Sequence, residues 1–243
     1  MELITLSEKN IDKEHICCAL ASSDCQVESK KEWLKEQFAY GLQFVKMNVR
    51  GKCFIEYIPI EHAWISLKGY DLMYINCLWV AGRYQGQGYA QILLKHCIQE
   101  SQRQGKKGLV ILSSEKKKPY IMDQKFLIKQ GFYTADHWQD YELMFLPFFK
   151  DAQEPRLCIP KMEKEGLVLY YTHQCPFNIK YVNLLKKYCQ DNHIPMQFIH
   201  IQTREQAIQT PTPLTTYSLF YQRQFITREV LTIKKFEEIR RNL

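Results

Sequence analysis

The hydrophobic pattern of the first 148 residues alternates between the two periods of regular secondary structure. Apolar residues at helical spacing predict helices, whereas short runs of aromatic and β-branched residues predict strands. The resulting order is two helices, a meander, and then strand, helix, strand, helix and closing strands. It predicts a mixed α/β sheet of about six or seven strands. The predicted elements are helices at 10–20, 29–40, 90–102 and 120–130, and strands at 42–49, 52–60, 74–80, 108–114 and one or two within 132–148.

The pattern breaks over residues 149–165, which hold two prolines and many charges without an apolar period. This composition predicts a linker or crossing segment between two domains, at 1–148 and 166–243. In the second domain the order strand, helix, strand, helix, hairpin and helix is typical of a thioredoxin-like α/β fold. The elements predicted there are strands at 166–172 and 194–202, helices at 177–192, 203–209 and 233–242, and a hairpin at 217–231.

Composition and charge restrict the cellular compartment and the classes of partner that we expect for the chain. The formal net charge of +7 is spread along the chain without a long basic block, so we expect no nucleic-acid partner. The N-terminal segment lacks the apolar core of a signal peptide, and no apolar run reaches the ~18 residues of a membrane span. The nine cysteines are irregularly spaced and odd in number. They predict free thiols in a reducing cytoplasm, with no metal site.

One short stretch, RYQGQGYA at residues 83–90, joins a predicted strand to a predicted helix. Glycine allows backbone N–H groups to approach a ligand closely. The first turn of a helix adds unpaired N–H donors and a partial positive charge. The stretch is therefore suited to bind phosphate.

The same stretch resembles the acetyl-CoA motif of the GNAT N-acetyltransferase superfamily, Q/R-x-x-G-x-G/A, and the later Gly131-Phe132 pair supports this likeness. The resemblance covers most of residues 1–148 and implies acetyl-CoA as co-substrate. It also implies that the strand ending at Val80 is bulged and splays from the next strand, so that its backbone pairs with the pantetheine. The residues it implies for acetyl-CoA binding are Leu78, Trp79, Val80, Arg83, Tyr84, Gln85, Gly86, Gln87, Gly88, Tyr89 and Ala90.

Acetyl transfer requires a base for the acceptor amine and an acid for the departing thiolate. The stretch EYIPIEHAW offers Glu56, Glu61 and His62 as candidate bases, and Asn76 could bridge to the acceptor through water. A solvent-facing Glu56 without a catalytic role is the alternative. The family often places a tyrosine acid four residues before the glycine of the GF pair, but this chain has Leu127 there. Tyr120 replaces it only if its loop folds back; otherwise it is a surface or core tyrosine.

A second candidate site is HQCPFN at residues 173–178, where Cys175 follows a strand and precedes a helix. This resembles the active-site position of a thioredoxin or glutaredoxin, with Asn178 in place of the second cysteine. N–H donors at a helix start lower a thiol pKa, which predicts that Cys175 is the reactive thiol. The fold often holds a cis proline opposite such a cysteine, and Pro211 or Pro213 fits that position. An inert cysteine in a retained fold is the alternative.

Taken together, the motifs resemble GNAT proteins that carry a YoaP-like C-terminal domain, and this resemblance spans nearly the whole chain. It implies an acetyl-CoA-dependent N-acetyltransferase that acts on a small-molecule or peptide amine by direct attack in a ternary complex. It leaves the acceptor unidentified and a homodimer open. One alternative is a thiol-redox or metalloid-sensing protein whose GNAT half only binds CoA. Another is a non-catalytic adaptor built from two retired enzyme folds.

Overall fold

The computed structural model describes residues 2–18, 25–116 and 118–243, and it divides them into two compact units. The first unit ends at Cys158. The second begins at Ile159 and also contains Trp64–Ser66 and the first helix as far as Trp33. Each unit is assembled from separate stretches of chain, whereas the sequence pattern predicts two continuous domains, at 1–148 and 166–243.

The first unit is built around a mixed sheet. Its elements are β1 (Leu3–Thr5), α1 (Cys25–Phe38, shared with the second unit), β2 (Gln43–Met47), β3 (Cys53–Pro59), β4 (Leu67–Lys68), β5 (Leu72–Val80), α2 (Tyr89–Arg103), β6 (Gly108–Ser114), β7 (Met122–Asp123), α3 (Gln124–Lys129), β8 (Tyr133–Trp138), β9 (Tyr141–Pro147) and β10 (Arg156–Leu157). The eight-stranded sheet has the order β1-β2-β3-β5-β6-β9-β8, with β7 paired to β6. The strands β4 and β10 form a separate antiparallel pair, and β10 lies inside the predicted linker.

The core of this unit lies between the sheet and α2. Alternate strand residues such as Val45, Ile55 and Leu78 point to one face, where they pack with Leu93 and Cys97 of α2. The strands predicted at 42–49, 52–60, 74–80 and 108–114 are confirmed, and β3 and β6 are buried on both faces over almost their whole length. The helix α2 starts and ends within one residue of its prediction.

The helix predicted at 10–20 is wrong over the part that the structure describes. Residues 8–13 form turns instead, and residues 19 and 20 lie outside the described residues. The side chain of Asn10 accepts a hydrogen bond from the Ser7 N–H at 2.8 Å and donates to the Thr5 carbonyl at 2.9 Å. Asparagine competes with helix formation through such local bonds. The apolar residues Ile11 and Ile16 are nevertheless buried, which accounts for the helix-like pattern.

The second unit has its own four-stranded sheet. Its elements are β11 (Leu167–Tyr171), α4 (Pro176–Asp191), β12 (Met196–His200), α5 (Arg204–Ile208), β13 (Tyr217–Tyr221), β14 (Gln224–Thr227) and α6 (Ile233–Arg240). The strand order is β12-β11-β13-β14, with β11 parallel to β12 and antiparallel to β13. All seven elements predicted for this part of the chain are confirmed. Among the described residues, none of the helices is long and apolar enough to cross a membrane.

A stack of three rings lies at the carboxyl ends of the parallel strands β11 and β12. The His200 ring lies between Tyr171, at 4.8 Å between ring centroids, and His173, at 4.3 Å. The Lys186 ammonium donates a hydrogen bond to the Tyr171 hydroxyl at 3.0 Å. Burial, together with the charges of His173 and Lys186, lowers the pKa of His200 to about 4. The ring of His200 is therefore neutral at pH 7.

We expect His200 to make the stability of the protein depend on pH. Its pKa is depressed in the folded state, so between pH 6.5 and about 4 the unfolded chain binds more protons. The free energy of unfolding should therefore fall as pH is lowered through this window. A His200→Phe variant keeps a ring in the stack and should show a shallower fall. Urea unfolding at pH 7.5 and pH 5 measures both slopes, and equal slopes would contradict the prediction.

Candidate active site

The strands β5 and β6 pair over only part of their length, and this leaves an opening in the sheet. They are paired in parallel from Leu72 to Ile75. Beyond Ile75, β5 continues to Val80 with β3 on one side but without a registered partner on β6. The splay implied by the family resemblance is therefore present. Peptide groups on the free edge of Leu78–Val80 can pair with an extended ligand as an added strand would.

The glycine-rich turn lies at the end of β5 that borders this opening. Both Gly86 and Gly88 have positive φ, +76° and +78°, in the left-handed region that glycine adopts without strain. Gly88 is the N-cap of the 15-residue helix α2. In the part of the chain that the structure describes, the N–H groups of Gly86, Gln87 and Gly88 donate to no other backbone group. The turn thus presents a set of N–H donors beside the helix N-terminus, which favours an anion.

Side chains of the turn hold its own backbone. The Gln85 amide donates to the Val80 carbonyl at 3.2 Å, and the Gln87 amide donates to the Arg83 carbonyl. The Arg83 guanidinium donates to the Tyr84 hydroxyl at 2.9 Å and is exposed to solvent. The rings of Tyr84 and Tyr89 lie 5.9 Å apart. Arg83 therefore lies on the exposed side of the turn.

Glu56 lies on β3 at a break in the regular pairing with β5. It is only 3% exposed, and the Asn76 side-chain amide donates to its Oε1 at 3.0 Å. Glu56 pairs with Cys77 and the next residue, Tyr57, pairs with Ile75, so Asn76 is the extra residue of a β-bulge. The bulge sits where β5 leaves β6. The carboxylate of Glu56 is therefore fixed beside the opening.

Glu61 lies near the other end of β5, where its carboxylate makes structural contacts. Its carboxylate accepts hydrogen bonds from the Asp71 N–H at 3.0 Å and from the Lys106 ammonium at 3.1 Å. Burial acts to raise the pKa of Glu61, but hydrogen bonds from its own N–H, Lys106 and Asp71 outweigh burial and lower that pKa. Glu61 is thus held ionised at the start of β5, away from the opening. This environment favours Glu56 over Glu61 as the base, and a catalytic role for either residue stays a prediction.

The loop that carries Tyr120 folds back towards β5. The Tyr120 ring lies 5.6 Å from the Trp79 ring, near the open end of the strand. Tyr120 is 58% exposed and has a φ of +58°, an uncommon conformation for a tyrosine. Leu127, in contrast, is fully buried in the core between the sheet and α2. The described residues thus provide a phenol near the opening at Tyr120 and none at position 127.

The second candidate site is the N-terminus of α4, where Cys175 is the N-cap and Pro176 the first helical residue. Burial raises the pKa of the Cys175 thiol more than the N–H groups of Phe177 and Asn178 and the nearby positive charges lower it. This corrects the expected direction of the shift. No cis peptide bond is found among the described residues, so the expected cis proline at 211 or 213 is also corrected.

Two family models match the chain. The acetyltransferase (GNAT) family matches residues 14–132, and the YoaP-like family matches residues 195–238. A curated relative from Bacillus subtilis (strain 168), described as an uncharacterized N-acetyltransferase YoaP, is 36% identical over 243 residues. The match covers 97% of this chain and 97% of the relative.

Solved structures with a similar fold are more distant in sequence. The PaiA N-acetyltransferase from Thermoplasma acidophilum in complex with coenzyme A has a TM-score of 0.43 and 14% identity, over 61% of this chain and 100% of that chain. A GNAT family acetyltransferase from Brucella melitensis in complex with acetyl-CoA has a TM-score of 0.41 and 13% identity. The match covers 63% of this chain and 91% of that chain.

Proposed function

Because the chain belongs to the GNAT acetyltransferase family, in the group with a YoaP-like C-terminal domain, we propose that it transfers the acetyl group of acetyl-CoA to a primary amine. The observation that carries this proposal is the opening between β5 and β6. The glycine turn closes one end of it, and the buried carboxylate of Glu56 lies beside it. The opening thus combines a turn that can bind phosphate, a strand edge that can pair with an extended ligand, and a carboxylate that can act as a base.

For acetyl-CoA, the turn supplies the pyrophosphate site. The donors are the N–H groups from Tyr84 to Tyr89, the N-terminus of α2 and the guanidinium of Arg83. The free edge of Leu78–Val80 then pairs with the amides of the pantetheine. The residues implied by the sequence motif, including Trp79, Gln85 and Ala90, all belong to this proposed site. In it, the thioester of acetyl-CoA lies near the bulge.

Glu56 accepts the proton of the acceptor amine, directly or through one water, and Asn76 holds its carboxylate in place. The amine nitrogen then bonds to the acetyl carbon, and the bond from that carbon to sulfur breaks. Tyr120 donates its phenolic proton to the departing sulfur, and the second proton that the nitrogen loses as the amide forms passes through water to the Tyr120 phenolate. The acetyl group passes in one step within a ternary complex, without a covalent enzyme intermediate.

The second unit is a thioredoxin-like domain in this proposal, and the support is its strand order together with the cysteine that begins α4. The rival function, thiol-redox sensing with CoA as a regulator, is less well supported. Position 178 holds a buried asparagine instead of a second cysteine, and burial raises the pKa of the Cys175 thiol. None of the eight cysteines whose thiols the structure describes forms a disulfide bond, which fits a reducing compartment such as the cytoplasm.

The test is a panel of primary amines, from small polyamines and amino acids to peptides, assayed for release of CoA from acetyl-CoA with a thiol reagent. The cysteines of the protein react as well, so each reading is compared with enzyme lacking acceptor and with acceptor lacking enzyme. We expect at least one amine to give acceptor-dependent release and an N-acetylated product by mass spectrometry. A flat response across the whole panel would contradict the proposed function.

A further inference from the structure

The two faces of the sheet differ beside the opening between β5 and β6. Trp79 of β5 pairs with Phe54 of β3, and directly paired residues point to the same face. Cys77 pairs in the same way with Glu56, which lies two positions from Phe54 and so shares its face. Leu78, in contrast, points to the other face and packs in the core with α2. The Trp79 ring is therefore on the same side of the sheet as the Glu56 carboxylate.

Trp79 and Tyr120 together form an aromatic surface on this face. Their ring centroids lie 5.6 Å apart, with 31° between the ring planes. The Tyr120 side chain is exposed and Trp79 is half-buried, so a ligand in solution can reach both rings. Next to Trp79, the buried ring of Phe54 stacks on that of Phe44 at 4.8 Å. The pair thus extends a buried aromatic layer out to the solvent.

Two lysines near this surface are paired with carboxylates. Lys46 of β2 pairs with Phe54 and so shares the face, but it is buried and its ammonium lies 2.7 Å from the Glu14 carboxylate. Lys118, on the loop before β7, lies 3.2 Å from the Asp140 carboxylate. Each pair neutralises its own charges. These groups therefore favour neither an acidic acceptor nor a polyamine, and the body of the acceptor is expected to be uncharged.

We infer that the acceptor is a primary amine joined by a short chain to an aromatic ring, and that Trp79 and Tyr120 bind this ring. The inference rests on the proposed acetyl transfer and adds its substrate class. Trp79 and Glu56 are diagonal neighbours on paired strands, roughly 7 to 8 Å apart, a distance that a two- or three-carbon chain can span. The peptide groups of Trp79 stay on the strand edge for the pantetheine, so its ring and its backbone contact different ligands.

The test compares kcat/KM for three primary amines with the full-length protein and saturating acetyl-CoA. Phenethylamine carries the ring, n-butylamine presents the same reactive group without it, and spermidine represents the polyamines. We expect kcat/KM for phenethylamine to exceed that for n-butylamine by about tenfold, because ring contacts add to the burial of apolar area. The ratio of the two values is the measure of specificity, since a change in the chemical step alters both values alike.

A Trp79→Leu variant should bring this ratio close to one, mainly through a higher KM for phenethylamine, whereas Trp79→Phe keeps a ring and should retain most of it. The matched control is Tyr70→Leu. Tyr70 is an exposed aromatic residue just before the start of β5, at the end of the strand away from Trp79, so its loss should leave the ratio unchanged. If Trp79→Leu does not fold, Tyr120→Leu tests the same surface.

Calorimetric titration of phenethylamine into the protein saturated with CoA, which has no acetyl group to transfer, separates this inference from the proposed function. Binding that Trp79→Leu weakens and Tyr70→Leu does not, without turnover of any amine, supports the aromatic site and contradicts acetyl transfer alone. The inference is overturned if n-butylamine or spermidine equals phenethylamine in kcat/KM. It is equally overturned if Trp79→Leu and Tyr120→Leu both leave the ratio unchanged, or if phenethylamine neither binds nor reacts.

Discussion

Replacement of Gly86 or Gly88 by aspartate should abolish the binding of acetyl-CoA, with a loss of roughly 100-fold or more in affinity. Aspartate strains a backbone that has φ of +76° and +78° at these positions, and it brings a negative charge to the proposed phosphate site. An added Cβ meets no protein atom within 4 Å at Gly86, so it would project into the space beside the turn. Calorimetric titration with acetyl-CoA measures the affinity.

The matched control for these variants is Gly105→Asp. Gly105 has a similar φ of +72° and open space around its Cβ position, but it follows the far end of α2. It therefore carries the same backbone strain without facing the opening, and its affinity for acetyl-CoA should stay near that of the wild type. The variants Gly86→Ala and Gly88→Ala separate the steric effect from the charge. Unchanged affinity in both aspartate variants would remove the turn from the site.

A Glu56→Gln variant should lose about 10²- to 10³-fold in kcat, the usual contribution of a general base. Glutamine keeps the size of the side chain and can still pair with Asn76, but it cannot take a proton. The loss should shrink at high pH, where more of the acceptor amine is already neutral. Steady-state rates from about pH 6 to 10 measure this, with the best acceptor from the amine panel as substrate.

Glu61→Gln is the control, because Glu61 is bound to Lys106 at the other end of β5. It should leave kcat and the pH profile unchanged and cost only some stability. Tyr120→Phe keeps the ring beside Trp79 and removes the phenolic proton, so it should lower kcat with little change in KM. If Glu56→Gln retains the wild-type kcat and profile, Glu56 is not the base.

Local patterns were enough to predict most of the fold. The strands β3 and β5 and the helix α2 follow from runs whose period depends only on nearby residues, and the glycine turn follows from two residues that tolerate positive φ. Contacts distant in sequence were harder to predict. The strands β4 and β10 are too short to show a period. They are defined by their pairing with each other, Lys68 with Arg156 and Leu67 with Leu157, across a long stretch of chain.

In the candidate site, too, features that depend on neighbouring residues could be predicted, and features that depend on distant contacts could not. The residues proposed for acetyl-CoA, which stay a prediction, could be named because they lie close together in the sequence, between Leu78 and Ala90. The choice between Glu56 and Glu61 could not be made from the sequence, because the contacts that distinguish them, from Asn76 to Glu56 and from Lys106 to Glu61, join residues far apart in the chain.

The bulge at Asn76 has a consequence for how this active site can vary. One extra residue supplies the partner of Glu56 and also marks the point where β5 leaves β6. Because strand side chains alternate, deleting that residue would turn Cys77, Leu78 and Trp79 to the opposite face. A substitution can change the environment of Glu56 or the strand edge at Leu78–Val80 separately. A change in the length of β5 alters both at once. In homologous sequences, insertions and deletions inside this strand should therefore be far rarer than substitutions.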